Sequence, residues 1–408
     1  MRLIGRIVIS LMLTLLALSA MAAPADTLRY SIRGLVRDAG SGKPLEAVSV
    51  SVAGTKLATI TNKDGAFIIK SDSVPEQLVF SLLGYNTQTV PVTGAELRVR
   101  LTRSSLLLDP ATVVYGSPQS LVRYAIEKIK DNLPDEPELF DCFYRETVQK
   151  RQRYIYVSEA VTKTYKAAWS NIWGRDRAGV VKSRLLKSPR ASDTLSVKVL
   201  GGPVMAVDLD LVRTRSMLLT EAELDQYNFE MLAPDVIDGR SQYVIRFYPA
   251  VEEDYALQQG KMYIDRQTFA FTRIETSLDI SDPAKATRAM LVNRPAGLRF
   301  RPREMSLLLN YKEENGLYRL SYLKTTFRFN CDWRKRLFAT DFTAISEMVV
   351  TNRHNGSAAV PIQRADEFSS KAALADKTLY YADPDFWKDY NIIEPSISLE
   401  QAIGRLKK

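Results

Sequence analysis

The sequence predicts a mainly β protein: a small N-terminal β-sandwich followed by a large curled antiparallel sheet, half-barrel-like, with a few helices. Three observations predict it. Apolar residues recur at every second position over most of the chain, the period of a half-buried strand. Clusters of Gly, Asn, Asp and Ser divide these runs at hairpin spacing. Only two segments after the N-terminus carry the spacing of a helix. The 408 residues are 46% hydrophobic and 25% charged, as in a folded globular chain. One histidine and two cysteines exclude zinc sites built from several histidines or four cysteines, and a triad with a histidine would have to use His354.

Residues 1–22 read as a secretory signal. Arg2 and Arg6 precede an apolar run from Ile7 to Leu18, shorter than the about 20 residues of a membrane span. Ala20-Met21-Ala22 then has the small-x-small pattern of a cleavage site. The alternative is an uncleaved anchor helix. Loss of Arg2 and Arg6 takes the formal charge from +9 to +7. The expectation is export to an oxidising compartment.

Residues 29–103 read as the sandwich. Val48, Val50 and Val52 share a face, as do Phe67 and Ile69, then Leu78, Phe80 and Leu82, then Leu97, Val99 and Leu101. Asn62-Lys63-Asp64-Gly65 is a hairpin turn in which Gly65 is free to take positive φ. Gly34-Leu35-Val36-Arg37-Asp38, Gly42 to Val50, Gly54-Thr55, Asp64-Gly65-Ala66-Phe67 and Leu83-Gly84-Tyr85 resemble the carboxypeptidase-regulatory-like domain. That family is a transthyretin-like sandwich found in front of TonB-dependent receptors and other envelope proteins. The resemblance implies an accessory module without carboxypeptidase chemistry. It also implies a location in the periplasm or on the periplasmic face of the outer membrane, with an outer-membrane or periplasmic protein as partner.

Residues 104–118 read as a linker, with Pro110, Gly116 and Pro118. Residues 119–352 read as a helix plus the large antiparallel β domain. Ser117 caps the helix, Pro118 occupies its first turn, and Leu121, Ala125 and Ile129 share a face. Alternating runs follow at Phe140–Val148, Arg153–Lys163, Gly179–Leu186, Gln242–Tyr248, Lys261–Ile264, Phe269–Ile280, Ser306–Tyr311, Leu317–Phe329 and Leu337–Val350. Val236-Ile237-Asp238-Gly239 and Glu313-Glu314-Asn315-Gly316 are turns between them. Residues 353–408 read as a loop and a helical tail. There Ser398-Leu399-Glu400-Gln401 has capping-box spacing, and Leu399, Ile403 and Leu406 face one side.

Asp238-Gly239-Arg240, Tyr243 to Phe247, Gly260 to Asp265 and Ile274-Glu275 resemble the half-barrel of periplasmic lipoprotein carriers (LolA-like proteins). Phe143-Tyr144-Arg145-Glu146, Ser158-Glu159-Ala160-Val161 and Phe386 to Pro395 resemble uncharacterised envelope proteins. In the carriers, the sheet and a covering helix enclose an acyl chain. The resemblance therefore implies an apolar ligand, with residues 119–131 or 397–407 as the cover.

Residues 150–190 hold eleven basic side chains against Glu159 and Asp176, a local charge of +9, with Tyr165, Trp169 and Trp173 nearby. Arg151, Arg153, Arg175, Arg177, Lys182 and Arg184 are candidates for a face binding an anionic lipid or glycan. The plain alternative is a solvated strand face. Nucleic acid does not fit an exported chain. Arg145 and Glu159 are candidates for a buried ion pair, because a charge inside an apolar strand needs a partner. A glycosidase-like pair, Glu146 and Glu159, is the competing enzymatic reading. Cys142 and Cys331 form a disulfide or stay as buried thiols. His354 sits in a predicted loop tip. No cofactor or metal site is read, and the function expected is a non-enzymatic envelope protein binding an apolar or anionic component. The alternative is a scaffold or partner of an outer-membrane uptake or assembly system.

Overall fold

The computed structural model describes residues 30–104, 116–171, 173–190, 193, 202–291, 296–333, 339–374 and 387–406. The expected signal at 1–22 and most of the linker lie outside the described residues. Strands β1 (Tyr30–Asp38), β2 (Ser49–Val52), β3 (Ala58–Ile60), β4 (Ala66–Ser71), β5 (Gln77–Ser81), β6 (Gln88–Pro91) and β7 (Glu96–Leu101) make two sheets, β4-β1-β7 and β3-β2-β5-β6. Their alternation buries Val36, Val48, Val50, Phe67, Ile69, Phe80 and Val99 in one core. In the turn before β4, Asn62 Oδ1 accepts from the Asp64 and Ala66 amides at 2.9 and 3.0 Å. Gly65 there has φ 74°, and a Cβ would come within 2.4 Å of Val36 O, so no other residue fits.

The large sheet is antiparallel throughout. It comprises β8 (Glu138–Lys150), β9 (Arg153–Lys166), β10 (Arg177–Lys187), β11 (Tyr227–Ile237), β12 (Arg240–Pro249), β13 (Gln258–Asp265), β14 (Phe271–Leu278), β15 (Leu298–Glu314), β16 (Leu317–Trp333) and β17 (Thr340–Asn355). The order is β10-β9-β8-β17-β16-β15-β14-β13-β12-β11. The last strand returns to pair with β8, leaving β10 and β11 as edges, so the sheet is not closed. Strand β11 has no counterpart in the alternation pattern. Its register shifts between Leu232 and Asp235, which breaks the period of two.

One face of the sheet is covered by α1 (Pro118–Glu127), α2 (Ile129–Asn132), α3 (Met205–Asp208), α4 (Leu211–Thr214) and α5 (Glu221–Leu224). Ser117 Oγ accepts from the Ser120 amide at 3.1 Å, and Pro118 fills the first turn of α1, where a missing N–H costs nothing. Leu121, Val122, Ala125 and Ile129 pack with Phe140, Tyr144, Ile245, Phe247, Met262 and Leu309 into the main core. Helix α6 (Pro283–Met290) is capped by Asp282 Oδ1, which accepts from Ala284 and Lys285.

The opposite face carries the sandwich, whose Ile60 and Ile68 meet Phe143, Val161, Tyr322 and Val349. It also carries α7 (Ile397–Leu406), whose Leu399, Ile403 and Leu406 pack on Val157 and Leu186. Residues 119–131 and 397–406 thus lie on opposite faces and do not share a covering role. The start of α7 is capped by Ser396, whose Oγ accepts from Leu399 N at 3.4 Å, while Ser398 is held by Lys63 at 2.6 Å. No described helix is long and apolar enough to cross a membrane.

One side chain differs from expectation, and the cysteine alternative is decided. His354 is on strand β17, opposite Leu139, and its Nε2 lies 2.7 Å from Asp141 Oδ2. A bulge after Val350 lets β17 run on past the apolar stretch. Cys142 and Cys331 are both free and buried. Cys142 stands beside Val350 and Cys331 beside Thr340, ten residues apart on β17. At roughly 3.4 Å per residue that separation far exceeds the reach of a disulfide.

Candidate functional site

Residues directly opposite one another in an antiparallel ladder share a face of the sheet. One such row crosses all ten strands from β10 to β11: Arg184, Glu159, Arg145, Glu347, Lys324, Leu308, Glu275, Lys261, Arg246 and Glu230. Every member but Leu308 is charged, and the row lies on the face that carries the sandwich. One end is buried and the other is open.

At the buried end, Glu159 is fully enclosed. Its Oε1 accepts from Arg145 Nε at 2.7 Å, and its Oε2 accepts from Arg184 Nε at 2.6 Å and Trp387 Nε1 at 3.2 Å. Arg145 also donates to Ile393 O at 2.6 Å. Burial drives the Glu159 carboxyl up, but the two guanidiniums outweigh it and hold it below the ordinary value. The Trp387 ring meets Phe143 edge-on at 5.5 Å and lies 5.4 Å from the Arg184 guanidinium.

The 387–396 segment that supplies this lid is fastened to the sandwich. Lys70 N donates to Asn391 Oδ1 at 2.7 Å, and Asn391 Nδ2 returns a bond to Lys70 O at 3.0 Å. Lys70 Nζ donates to the carbonyls of Trp387, Lys388 and Tyr390. Burial pulls that ammonium down to about 8. Thr59 Oγ1 and Asn62 Nδ2 bind the Ile392 and Glu394 carbonyls at 3.0 and 2.9 Å. This end of the row therefore serves as a fastener between sandwich, tail and sheet.

The open end lines a groove of about 590 Å³ across β12 to β16. Arg246, Lys261, Arg273 and Lys324 line it against a single carboxylate, Glu275. Gln259, Ser277, Ser306 and Thr326 add amide and hydroxyl groups. Arg273 Nε is tied to Glu275 at 2.6 Å, Arg246 reaches Glu230 at 3.4 Å, and Lys324 reaches Glu46 on the sandwich at 2.5 Å. Lys261 is exposed and projects between Arg246 and Glu275. Three of the four cations are thus paired, the exposed Lys261 leaves a small positive excess, and the lining suits an anion that also carries hydroxyls.

The six basic residues singled out in the sequence do not form one face. Arg151 and Arg153 sit at the β8–β9 turn, where Arg153 binds Asp193 at 2.6 Å. Arg177 is opposite Tyr165, twelve residues further along β9, and reaches Ile362 O at 2.8 Å and Glu367 at 3.6 Å. Arg175 is exposed just before β10. Lys182 stands over the Tyr390 ring at 5.8 Å, and Arg184 is buried on Glu159. Three acids outside the window take up part of its charge: Asp193, Glu367 and Asp210, the last holding Lys166 at 3.0 Å. Trp169 is flanked by Arg213 and Arg215, which also lie outside the window. Glu146 and Glu159 face opposite sides of the sheet. Glu146 shares the helix-covered face with Tyr144, whose hydroxyl donates to it at 3.0 Å, so the two carboxylates share no site. The groove cations were not legible in advance, because each lies on a different strand. Among the described residues no cluster of His, Cys, Asp and Glu could hold a metal ion.

Residues 32–113 match the family model of the CarboxypepD_reg-like domain. The sandwich is a CarboxypepD_reg-like domain. The chain is also 31% identical over 113 residues to the TonB-dependent receptor SusC of Bacteroides thetaiotaomicron. That match covers 28% of this chain and 11% of the receptor, so the chain spans only a small part of that relative. Among solved structures, a DUF1329 family protein from Desulfovibrio piger aligns over 60% of this chain and 94% of its own, at 10% identity and a TM-score of 0.23. A putative outer membrane lipoprotein-sorting protein domain from Vibrio parahaemolyticus aligns over 61% and 95%, at 11% identity and a TM-score of 0.26.

Proposed function

We propose that this chain is an exported, non-enzymatic cell-envelope protein of the periplasm or the periplasmic face of the outer membrane. In this reading the CarboxypepD_reg-like domain is an accessory module, and the large sheet binds an acidic glycan of the envelope. The observation that carries the ligand class is the open groove, with the exposed Lys261 among three ion-paired cations and a hydroxyl- and amide-bearing wall. An acyl chain would need an apolar lining instead, and on the helix-covered face that role is taken by packed side chains. The enzymatic alternative loses support because Glu146 and Glu159 face opposite sides. A second reading, a partner of an outer-membrane uptake system, is favoured by the 113-residue match to SusC.

The test is calorimetric titration with an acidic polysaccharide such as polygalacturonate, for the full chain and for a Lys261→Glu, Arg246→Glu variant. Both side chains are exposed, so the variant is expected to fold normally and lose binding at least tenfold. Equal binding by both proteins, or none by the native chain, refutes the glycan reading.

A further inference from the structure

A second cavity lies in the seam between the four-stranded sheet of the CarboxypepD_reg-like domain and strands β15 to β17. It holds about 70 Å³ of free space, against the roughly 10–15 Å³ that one water requires. Ser49, Ser51, Thr59 and Ser81 line it from the sandwich, and Asn310, Lys312 and Arg353 from the sheet. The lining includes the cations Lys56, Arg273, Lys312 and Arg353 and only two carboxylates, Asp238 and Glu314.

Arg353 is the anomaly. It is 6% exposed, and one terminal nitrogen lies 2.6 Å from Glu314 Oε1, yet its Nε meets no acceptor. Its guanidinium stands 5.6 Å from the Phe140 ring, which supplies no hydrogen-bond acceptor of the usual kind. The reason is topological. Strands β16 and β17 stop pairing at Tyr322 and Val349, and Arg353 sits beyond that point, where the sheet has opened. Lys312 Nζ reaches across the seam to a single hydroxyl, Ser51 Oγ, at 3.0 Å. A hydroxyl is a neutral acceptor; the carboxylates of Asp238 and Glu314 act on the ammonium, but burial outweighs them. Burial pulls both cations below their ordinary values. Buried donors without acceptors are rare in folded proteins, and where they occur in a polar cavity they mark the place of a missing acceptor.

We propose that the seam cavity binds a small oxyanion of the phosphate or sulfate class, held by Lys312 and Arg353 with Ser49 and Ser51 as hydroxyl donors. An anion in this place touches both the CarboxypepD_reg-like domain and the large sheet, so its binding tightens their docking. The site shares Arg273 with the wall of the glycan groove, but its binding pair, Lys312 and Arg353, lines only the seam cavity.

The test uses the full chain. Thermal denaturation is followed in inorganic phosphate and in sulfate against chloride at matched ionic strength, and binding is measured by calorimetry. At tenfold excess over Kd, an oxyanion-specific rise in Tm of about 2 °C is expected. Lys312→Met and, separately, Arg353→Met are expected to abolish that rise. Lys312→Met keeps the test decisive if Arg353→Met fails to fold, since it leaves the Arg353–Glu314 pair in place. A glycerol phosphate arm separates a free oxyanion from a phosphomonoester: weaker binding than phosphate supports the former, equal or tighter binding the latter. No phosphate- or sulfate-specific shift in the native chain, or a shift retained in Lys312→Met, overturns the proposal.

Discussion

Glu146 should make the stability of this protein fall as pH rises toward neutrality, and Glu146→Gln should remove that dependence. The side chain is 2% exposed, in the middle of β8, with Ser158 and Ser346 opposite it on the neighbouring strands. Burial drives its carboxyl from the ordinary 4.5 up to about 7, and hydrogen bonds from Tyr144 and Tyr156 only partly oppose this. The folded chain therefore keeps the proton to a higher pH than the unfolded chain. The contribution is fully present below about 4.5, is lost progressively as pH rises, and is gone above about 7. At 1.36 kcal/mol per pH unit the loss is about 3 kcal/mol. Gln has nearly the same shape and does not titrate. Urea unfolding of both proteins at several pH values from 4.5 to 8 isolates this group, because all other titrations are shared. The Gln variant should gain about 3 kcal/mol on the native chain over that range. A difference that stays constant with pH would refute the reasoning.

The two ends of the charged row should respond very differently to loss of a carboxylate. Glu159→Gln leaves Arg145 and Arg184 buried beside each other, at an expected cost of about 3–5 kcal/mol in unfolding free energy. Glu230→Gln removes an exposed partner of Arg246 and is expected to cost under about 1 kcal/mol; similar losses at both sites would contradict the division into buried and open ends. The cysteines should behave as thiols. Burial pushes Cys142 up to about 12 and Cys331 up to about 11, so the reactive thiolate is scarce at neutral pH. A thiol-titrating reagent should find two thiols in denaturant without reductant and essentially none in the native protein, and a failure to find them in denaturant would point to a disulfide.

Much of the fold was legible because its signals are local. Val48, Val50 and Val52 announce a strand with one buried face, and Asn62 to Gly65 announce a turn that only glycine completes. Ser117 and Pro118 announce the start of a helix. Strand β11 escaped because its register shift breaks the alternation. The candidate site was far less legible. A window count over residues 150–190 finds a basic excess, but charge balance is settled in three dimensions. Asp193, Glu367 and Asp210, all outside that window, take up part of its excess.

The sequence by itself determined which residues alternate, where the chain turns, and that its N-terminal module is of the CarboxypepD_reg-like kind. Tertiary structure alone decided that β17 returns to β8, and with that the register of the whole sheet. Register places Arg246, Lys261, Glu275 and, across Leu308, Lys324 in one row, although Arg246 and Lys324 are 78 residues apart in the chain. It also places Glu146 and Glu159 on opposite faces, and opens the gap in which Arg353 is buried. The physical reason is that periodicity is carried by neighbours along the chain, whereas pairing between strands is chosen by the packing of both faces at once.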